Sequence, residues 1–258
     1  MRGLQTKIDQ LFLAVSDGDF DVIVLTETWL NDHINSLQLF GPLYTVYRND
    51  RDPAKSGKSR GGGVLIAVSN RLQSVRIECT ENGIEQLWVS VCTEDRNICV
   101  GVVYLTPENA IDTNAIERHL DSVSAISNAL RTHDFHALFG DYNQPSLTWK
   151  TSHSGFAYPD PSESVFSRSN SSLIDGMDSL NMLQLNTVRN ERNRTLDLVF
   201  VNETASKNCV VSEAPESLIG ADEHHPPLTA TSTCRKNIRF AEVADYRRLN
   251  FSKPILKD

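Results

Sequence analysis

The chain has 258 residues, 40% of them hydrophobic, with 25 basic against 33 acidic side chains and a net charge of −8. That length can bury a large core, and no Gly/Ser-rich, Pro-rich or charge-rich stretch divides it in the middle, so one domain with a tail is expected. The acidity is awkward for any nucleic-acid partner, since affinity for phosphates comes largely from Lys and Arg displacing counterions, and it suits a site that gathers carboxylates for a metal.

The five cysteines, Cys79, Cys92, Cys99, Cys209 and Cys234, are odd in number and lack CxxC spacing. They speak against a disulfide framework and a zinc site, and read as reduced thiols of an intracellular protein. The N-terminal MRGLQTKIDQLF has no signal-peptide stretch, and no run approaches the roughly 18 apolar residues of a membrane span. A soluble protein, nuclear or cytoplasmic and not secreted, is expected, with no membrane partner and no tightly bound organic cofactor.

In chain order, Ile8, Leu11 and Phe12 share one face of a helix over residues 7–15. DVIVLT (21–26) and GGVLIAV (62–68) read as buried strands, and residues 87–91 and 99–105 as two more joined by a turn at 94–97. Ile116, Leu120, Val123, Ala129 and Leu130 follow helical spacing and lead into FHALFGDYN (135–143). There a short apolar run ends at Gly140, and Asp141 and Asn143 leave its mouth two positions apart, pointing the same way off an extended backbone. An Asp/Asn turn formed for purely local reasons would look the same. A polar loop (151–172) precedes a helix marked by Leu173, Met177 and Leu180, then strands at 182–185 and 196–201. This mixed order implies an α/β sandwich.

Polar groups recur at the strand ends: Glu27 after DVIVLT, Tyr104 in GVVYLTP, Asp141 and Asn143, Asp197 in TLDLVF, and the cluster Asp222, Glu223, His224, His225 before Pro226. Each has a plain structural reading: a helix-capping acid, a packed aromatic, a turn residue. Together they are the parts of a metal-dependent phosphoesterase: a hard carboxylate for the cation, a carboxylate that positions water, amide and phenol groups for a phosphate, and a His held by an Asp. Two basic clusters, Arg48 to Arg60 with Lys55 and Lys58, and Arg189 to Arg194, read either as phosphate contacts or as solvated loops.

The ordered series TETWL (26–30), RGGGVLIAV (60–68), VVYLTP (102–107), GDYN (140–143), TLDLVF (195–200) and HHPPL (224–228) resembles the endonuclease/exonuclease/phosphatase superfamily. Within it the chain is most similar to the apurinic-type endonuclease domain of non-LTR (LINE-like) retrotransposons. The resemblance implies a four-layer α/β sandwich of two mixed sheets flanked by helices, spanning residues 1–233, with a polar connector at 234–258. It implies Mg²⁺, or Mn²⁺, as cofactor and DNA as partner, and a reverse transcriptase domain in a full-length element that these residues do not contain.

Residue by residue, the resemblance makes Glu27 a metal ligand, Tyr104 a phosphate contact, Asp141 the group that orients the attacking water and Asn143 its partner on the phosphate. Asp197 would fix the tautomer of the catalytic His and favour its protonated form. Arg48, Arg51, Lys58, Arg60, Arg192 and Arg194 are the expected contacts to the DNA backbone. The reaction would be in-line attack of water, leaving a nick with a free 3′-hydroxyl.

Two departures from the family pattern stand out. The family opens with an Asn-bearing strand before an RGL-like segment, whereas this chain starts at Met1-Arg2-Gly3-Leu4, so the first strand is expected to be missing. Where the family has Ser-Asp-His-x-Pro, alignment on Pro226 makes Glu223 the metal-side acid and His224 catalytic. Alignment on Pro227 and Leu228 makes His225 catalytic and puts His224 where the acid belongs. A degenerate remnant that at most binds nucleic acid weakly, or a phosphatase of the same superfamily, are the alternative readings.

Overall fold

The computed structural model describes residues 3–58, 60–153, 155–220 and 222–234. All but the first residue of the expected connector at 234–258 lies outside them. Strands β1 (Val22–Thr26), β2 (Tyr44–Asn49) and β3 (Val64–Ser69) form a small sheet in the order β1-β3-β2, antiparallel in both pairings.

The second sheet has eight strands: β4 (Gln73–Ile77), β5 (Glu85–Cys92), β6 (Asn97–Tyr104), β7 (Phe135–Asp141), β8 (Trp149–Thr151), β9 (Ala157–Pro159), β10 (Met182–Gln184) and β11 (Asp197–Asn202). They lie in the order β4-β5-β6-β7-β11-β10-β9-β8. This sheet is mixed. Its β6–β7 pair is parallel, and the helix Thr113–Ala129 lies in the crossover between them, as a parallel connection requires. A hairpin of β12 (Cys209–Glu213) and β13 (Leu228–Ser232) completes the strands.

Three buried layers join these elements. Leu11 and Val15 of the helix Ile8–Asp17 pack with Leu39 and Phe40 against Ile23, Leu65 and Ala67 of the small sheet. The opposite face of that sheet, Val64, Ile66 and Val68, meets Leu87, Val89, Val91, Val100 and Val102 of the large one. On the far face of the large sheet, Val103, Leu138 and Leu198 pack against Ile116 and Val123 of the helix Thr113–Ala129 and Leu173 and Met177 of the helix Arg168–Ser179. The result is helix, sheet, sheet, helix. The hairpin covers the rest of the inner face, where Cys209, Val211 and Leu228 pack on Phe135, Val199 and Val201.

The helices start where local chemistry says they should. Asp112 accepts the Asn114 N–H at 3.0 Å, and Ser167 with Asn170 forms a reciprocal capping box. The inward face of the longer helix is Ala115, Ile116, His119, Ser122, Val123 and Ile126, a three-four repeat that includes two polar residues. Those two are satisfied inside the core. His119 bonds Gln86 at 2.9 Å and Tyr142 at 3.2 Å, and Ser122 takes a bond from Gln86 at 2.8 Å. Burial pushes His119 down to about 3, so its imidazole is neutral.

The strand that sequence ends at Gly140 runs on to Asp141, because β7 is paired on both sides: Gly140 faces Val103 on one neighbour and Leu198 on the other. Only glycine fits there, since a Cβ would sit 2.5 Å from the Val103 carbonyl oxygen and overlap its side chain. Gly140→Ala is therefore expected to destabilise the fold by about 1–3 kcal/mol through overpacking, read as a lower urea midpoint with an unchanged slope.

Candidate active site

The register of the large sheet sets Glu85, Tyr104, Asp141 and Asp197 opposite one another in a single row across β5, β6, β7 and β11. Residues in register share a face, and neighbouring strands lie about 4.8 Å apart, so the row brings three acids and a phenol together without any loop. It sits on the face turned to the small sheet, at the end where the valine and leucine packing between the sheets runs out. Glu27 arrives at the same place from the end of β1. Glu27, Trp29, Tyr104, Pro107, Asp141, Asn143 and His225 line a cleft of about 320 Å³ there.

Glu27 and Trp29 both have left-handed backbone, with φ of 53° and 54°, and Asn143 has φ of 48°. Asn tolerates that region, whereas Glu and Trp are held in it by their surroundings. The surroundings are the three glycines of RGGGVLIAV. The Gly63 carbonyl accepts from Thr28 N–H at 3.2 Å and the Gly62 carbonyl from Trp29 N–H at 2.9 Å. From the other side, Gly3 N–H donates to the Glu27 carbonyl at 3.0 Å and Leu4 N–H to that of Thr28 at 2.8 Å. Gly61, Gly62 and Gly63 have φ between 70° and 97°, and a Cβ on Gly62 would overlap Arg51 and Glu85.

Glu85 fixes the glycine loop in turn. Its carboxylate accepts from Gly63 N–H at 2.5 Å and from Arg51 Nε at 2.7 Å, and the Arg51 Nη2 lies 2.6 Å away. The guanidinium also lies 5.8 Å from the centre of the Tyr104 ring.

The Tyr104 hydroxyl donates to the Glu27 carboxylate. Burial, followed by that bond and the charges of Glu27 and Asp141, raises the phenol far above its ordinary value, so it stays an O–H donor. Asp141 is 2% exposed; burial and the neighbouring Asp197 charge raise its carboxyl, with His225 acting against them. Asp141 Oδ1 accepts from Asn143 N–H at 3.1 Å, and Asn143 Nδ2 donates to the Leu105 carbonyl at 2.8 Å.

Between the two histidines the geometry discriminates. His225 Nδ1 lies 2.9 Å from Asp197 Oδ2 and its Nε2 3.7 Å from Asp141 Oδ2. His224 lies outside that pair, its N–H bonded to Asp222 at 2.9 Å and its ring 6.5 Å from that of His225. The Pro226 alignment, which makes His224 catalytic, thus differs from the pairing found, in which His225 meets Asp197. Glu223 is exposed and meets the rest of the molecule through its carbonyl, which accepts from Glu191 N–H at 3.3 Å. It does not line the cleft.

The six basic residues separate as well. Arg48 lies in β2 and is held by Asp50 and by the carbonyls of Ile34, at 2.6 Å, and Asn31, at 2.9 Å; its side chain is 15% exposed. Arg51 is held by Glu85. Both are internal ion pairs. Lys58 pairs on the surface with Glu108 at 2.9 Å, Arg194 donates to the Pro145 carbonyl, and Arg60 lies over the Trp29 ring. Arg192 is exposed on its turn.

Asn190, unremarked in the sequence, ties that turn to the histidine loop. Its Oδ1 accepts from Arg192 N–H at 3.0 Å and Arg194 N–H at 2.9 Å, and its Nδ2 donates to the His224 carbonyl at 3.0 Å. Glu85 and Asn190 both act on backbone distant in sequence, so no local signal announced them.

Asp141, Asp197 and His225 bring donor atoms within 4.8 Å of one another. Burial alone would lower His225; its bond to Asp197 and the charges of Asp197 and Asp141 outweigh that and raise it above 6.5. Asp197→Asn removes the largest raising influence and leaves burial in command. The expected outcome is an NMR titration of His225 above 6.5 in the native protein that falls below it in the variant. Because the native value is the raised one, the stability this pair contributes is complete below pH 6.5 and is lost as pH rises through the native value.

Three solved structures share this fold over nearly their whole lengths. The endonuclease domain of TRAS1, a telomere-specific non-LTR retrotransposon, superposes with a TM-score of 0.60 at 15% identity, covering 91% of this chain and 97% of that one. An AP endonuclease from Archaeoglobus fulgidus gives 0.59 at 12% identity, covering 90% and 96%. The 3′ phosphatase NExo from Neisseria, bound to product DNA hairpin, gives 0.60 at 15% identity, also covering 90% and 96%. No curated protein matched. The family model for the endonuclease/exonuclease/phosphatase family matches residues 1–218, and the chain belongs to that family.

Proposed function

We propose that this chain is a divalent-metal-dependent endonuclease that nicks DNA, the nuclease domain of a non-LTR retrotransposon polyprotein. The observation that carries the proposal is the transverse row of Tyr104, Asp141 and Asp197, completed by Glu27 from the small sheet and His225 clasping Asp197. The TETWL and RGGGVLIAV forms, together with the likeness in fold to the TRAS1 endonuclease domain, favour the retrotransposon branch.

The donor set suits a hard cation. At His225 a proton and a cation compete for the lone pair on Nε2, and the bond to Asp197 and the acids beside it strengthen the hold on the proton. Glu27 and Asp141 line the same cleft, and a carboxylate has about four acceptor sites, so the Tyr104 bond leaves Glu27 able to bind more. Glu27 would hold Mg²⁺ or Mn²⁺, which keeps several waters and needs only one or two carboxylates besides the substrate phosphate, and Asp141 beside it is left to act on water. When bound, the cation supplies charge stabilisation at the phosphate and the leaving oxygen.

The chain's own groups do the rest. Asp141 receives a proton from water as the water oxygen attacks phosphorus; the bond from phosphorus to the 3′ oxygen breaks, and that oxygen is protonated from solvent. The strands then end in a 5′-phosphate and a 3′-hydroxyl. His225, whose hold on a proton Asp197 strengthens, and the second amide hydrogen of Asn143 hold the non-bridging oxygens where negative charge grows. Tyr104 remains a neutral phenol beside them.

Supercoiled plasmid is expected to be nicked in Mg²⁺ and left intact in EDTA. Asp141→Asn should slow nicking by about 10²–10⁴-fold while the variant stays folded by circular dichroism. Salt-sensitive DNA binding without any Mg²⁺-dependent nicking would instead identify a non-catalytic remnant.

A further inference from the structure

We infer that Arg60, stacked on Trp29, is a backbone clamp for the DNA strand at the rim of the cleft, and that Trp29 acts as its positioning residue. The inference rests on the DNA reading above and names the part of the protein that meets the duplex next to the cut. The Arg60 guanidinium lies 4.7 Å from the centre of the Trp29 ring, within the distance at which the negative ring face attracts a cation. Trp29 itself lines the cleft with Glu27 and Tyr104.

The Trp29 ring is closely packed. Its backbone is held at φ of 54° by the bond to Gly62, and Gly3 packs so closely that a Cβ there would sit 2.8 Å from the indole. The indole Nε1 is buried with no hydrogen-bond partner among the described residues, so packing rather than a polar tether fixes the ring. Stacking on a fixed ring orients the guanidinium plane, whose forked N–H groups then match phosphate oxygens in a way a flexible ammonium does not.

Arg60 is also available in a way its neighbours are not. Arg48, Arg51 and Lys58 each lie within 4 Å of a carboxylate, and among the described residues Arg60 has no such partner. It is exposed and lies over Trp29, which lines the cleft that holds the carboxylates of Glu27 and Asp141, and those charges would otherwise repel DNA. One unpaired cation held beside that cleft is the device an acidic protein of this kind needs.

The test is binding of a fluorescein-labelled random-sequence DNA duplex in EDTA across a salt series, with plasmid nicking in Mg²⁺ measured separately. Arg60→Ala is expected to weaken binding about 5–10-fold near 0.1 M salt and to reduce the slope of log affinity against log salt by about 1. Arg60→Lys should keep the slope and lose part of the affinity, because the charge remains and the stacked plane does not. Trp29→Leu should weaken binding in the native background and add little in the Arg60→Ala background.

Unchanged affinity and slope in Arg60→Ala would overturn the clamp while leaving the nuclease reading intact. Full additivity of the two substitutions would overturn the positioning role of Trp29. A native protein that binds no duplex at any salt would remove the DNA reading and the clamp together. Arg60 is an exposed side chain, so its variants test the idea without depending on the folding of the Trp29 variant.

Discussion

The site depends on the carboxylate of Glu85. It stands beside Tyr104 in the large sheet, grips Arg51 from the segment after β2, and accepts the N–H of Gly63 at the start of β3. Through that one side chain the two sheets are locked together at the end where their apolar packing stops. The glycine loop so fixed presents the two carbonyls that hold Thr28 and Trp29, and hence the left-handed turn at Glu27. Non-glycine residues persist in such backbone only when several contacts over-determine it, and here four main-chain hydrogen bonds do.

Electrostatics follow from the same layout. A row of register-matched acids would repel itself, and the structure answers with one imidazole. His225 bonds Asp197 and lies 3.7 Å from Asp141, so it is raised while Asp141 feels burial and Asp197 on one side and His225 on the other. The two buried histidines elsewhere behave oppositely. Among the described residues no acid acts on His119 or His136, and burial pushes them down to about 3 and about 4.

Much of the architecture was legible because apolar runs and helical periodicity are local. The strands read at 21–26, 62–68 and 99–105 and the apolar run from Phe135 correspond, within a residue or two at their ends, to β1, β3, β6 and β7, and the α/β sandwich with helices outside follows from them. Edge strand β4 and the β12–β13 hairpin escaped notice because their side chains are largely exposed and form no long apolar run. The registry that lines up Tyr104, Asp141 and Asp197 is non-local, and motif order alone suggested that they meet. Charge runs misled most: Arg48 and Arg51 look like surface cations in sequence, whereas their acid partners, Asp50 and the distant Glu85, turn them inward. Which of His224 and His225 pairs with Asp197 is likewise non-local: His225 does, in a contact spanning 28 residues.

The three hydrogen bonds of Asn190 carry a further meaning for how this surface can vary. The exposed turn bearing Arg192 and the loop bearing His225 are stitched to one buried amide, so they form a single mechanical unit rather than two independent appendages. Surface turns usually accept insertions freely because nothing behind them registers the change. This one cannot be exchanged as a cassette: lengthening it would pull on the His224 carbonyl and swing the neighbouring imidazole away from Asp197. Diversification of the outer contact surface is therefore confined, on this side of the cleft, to side-chain replacement on a backbone of fixed length.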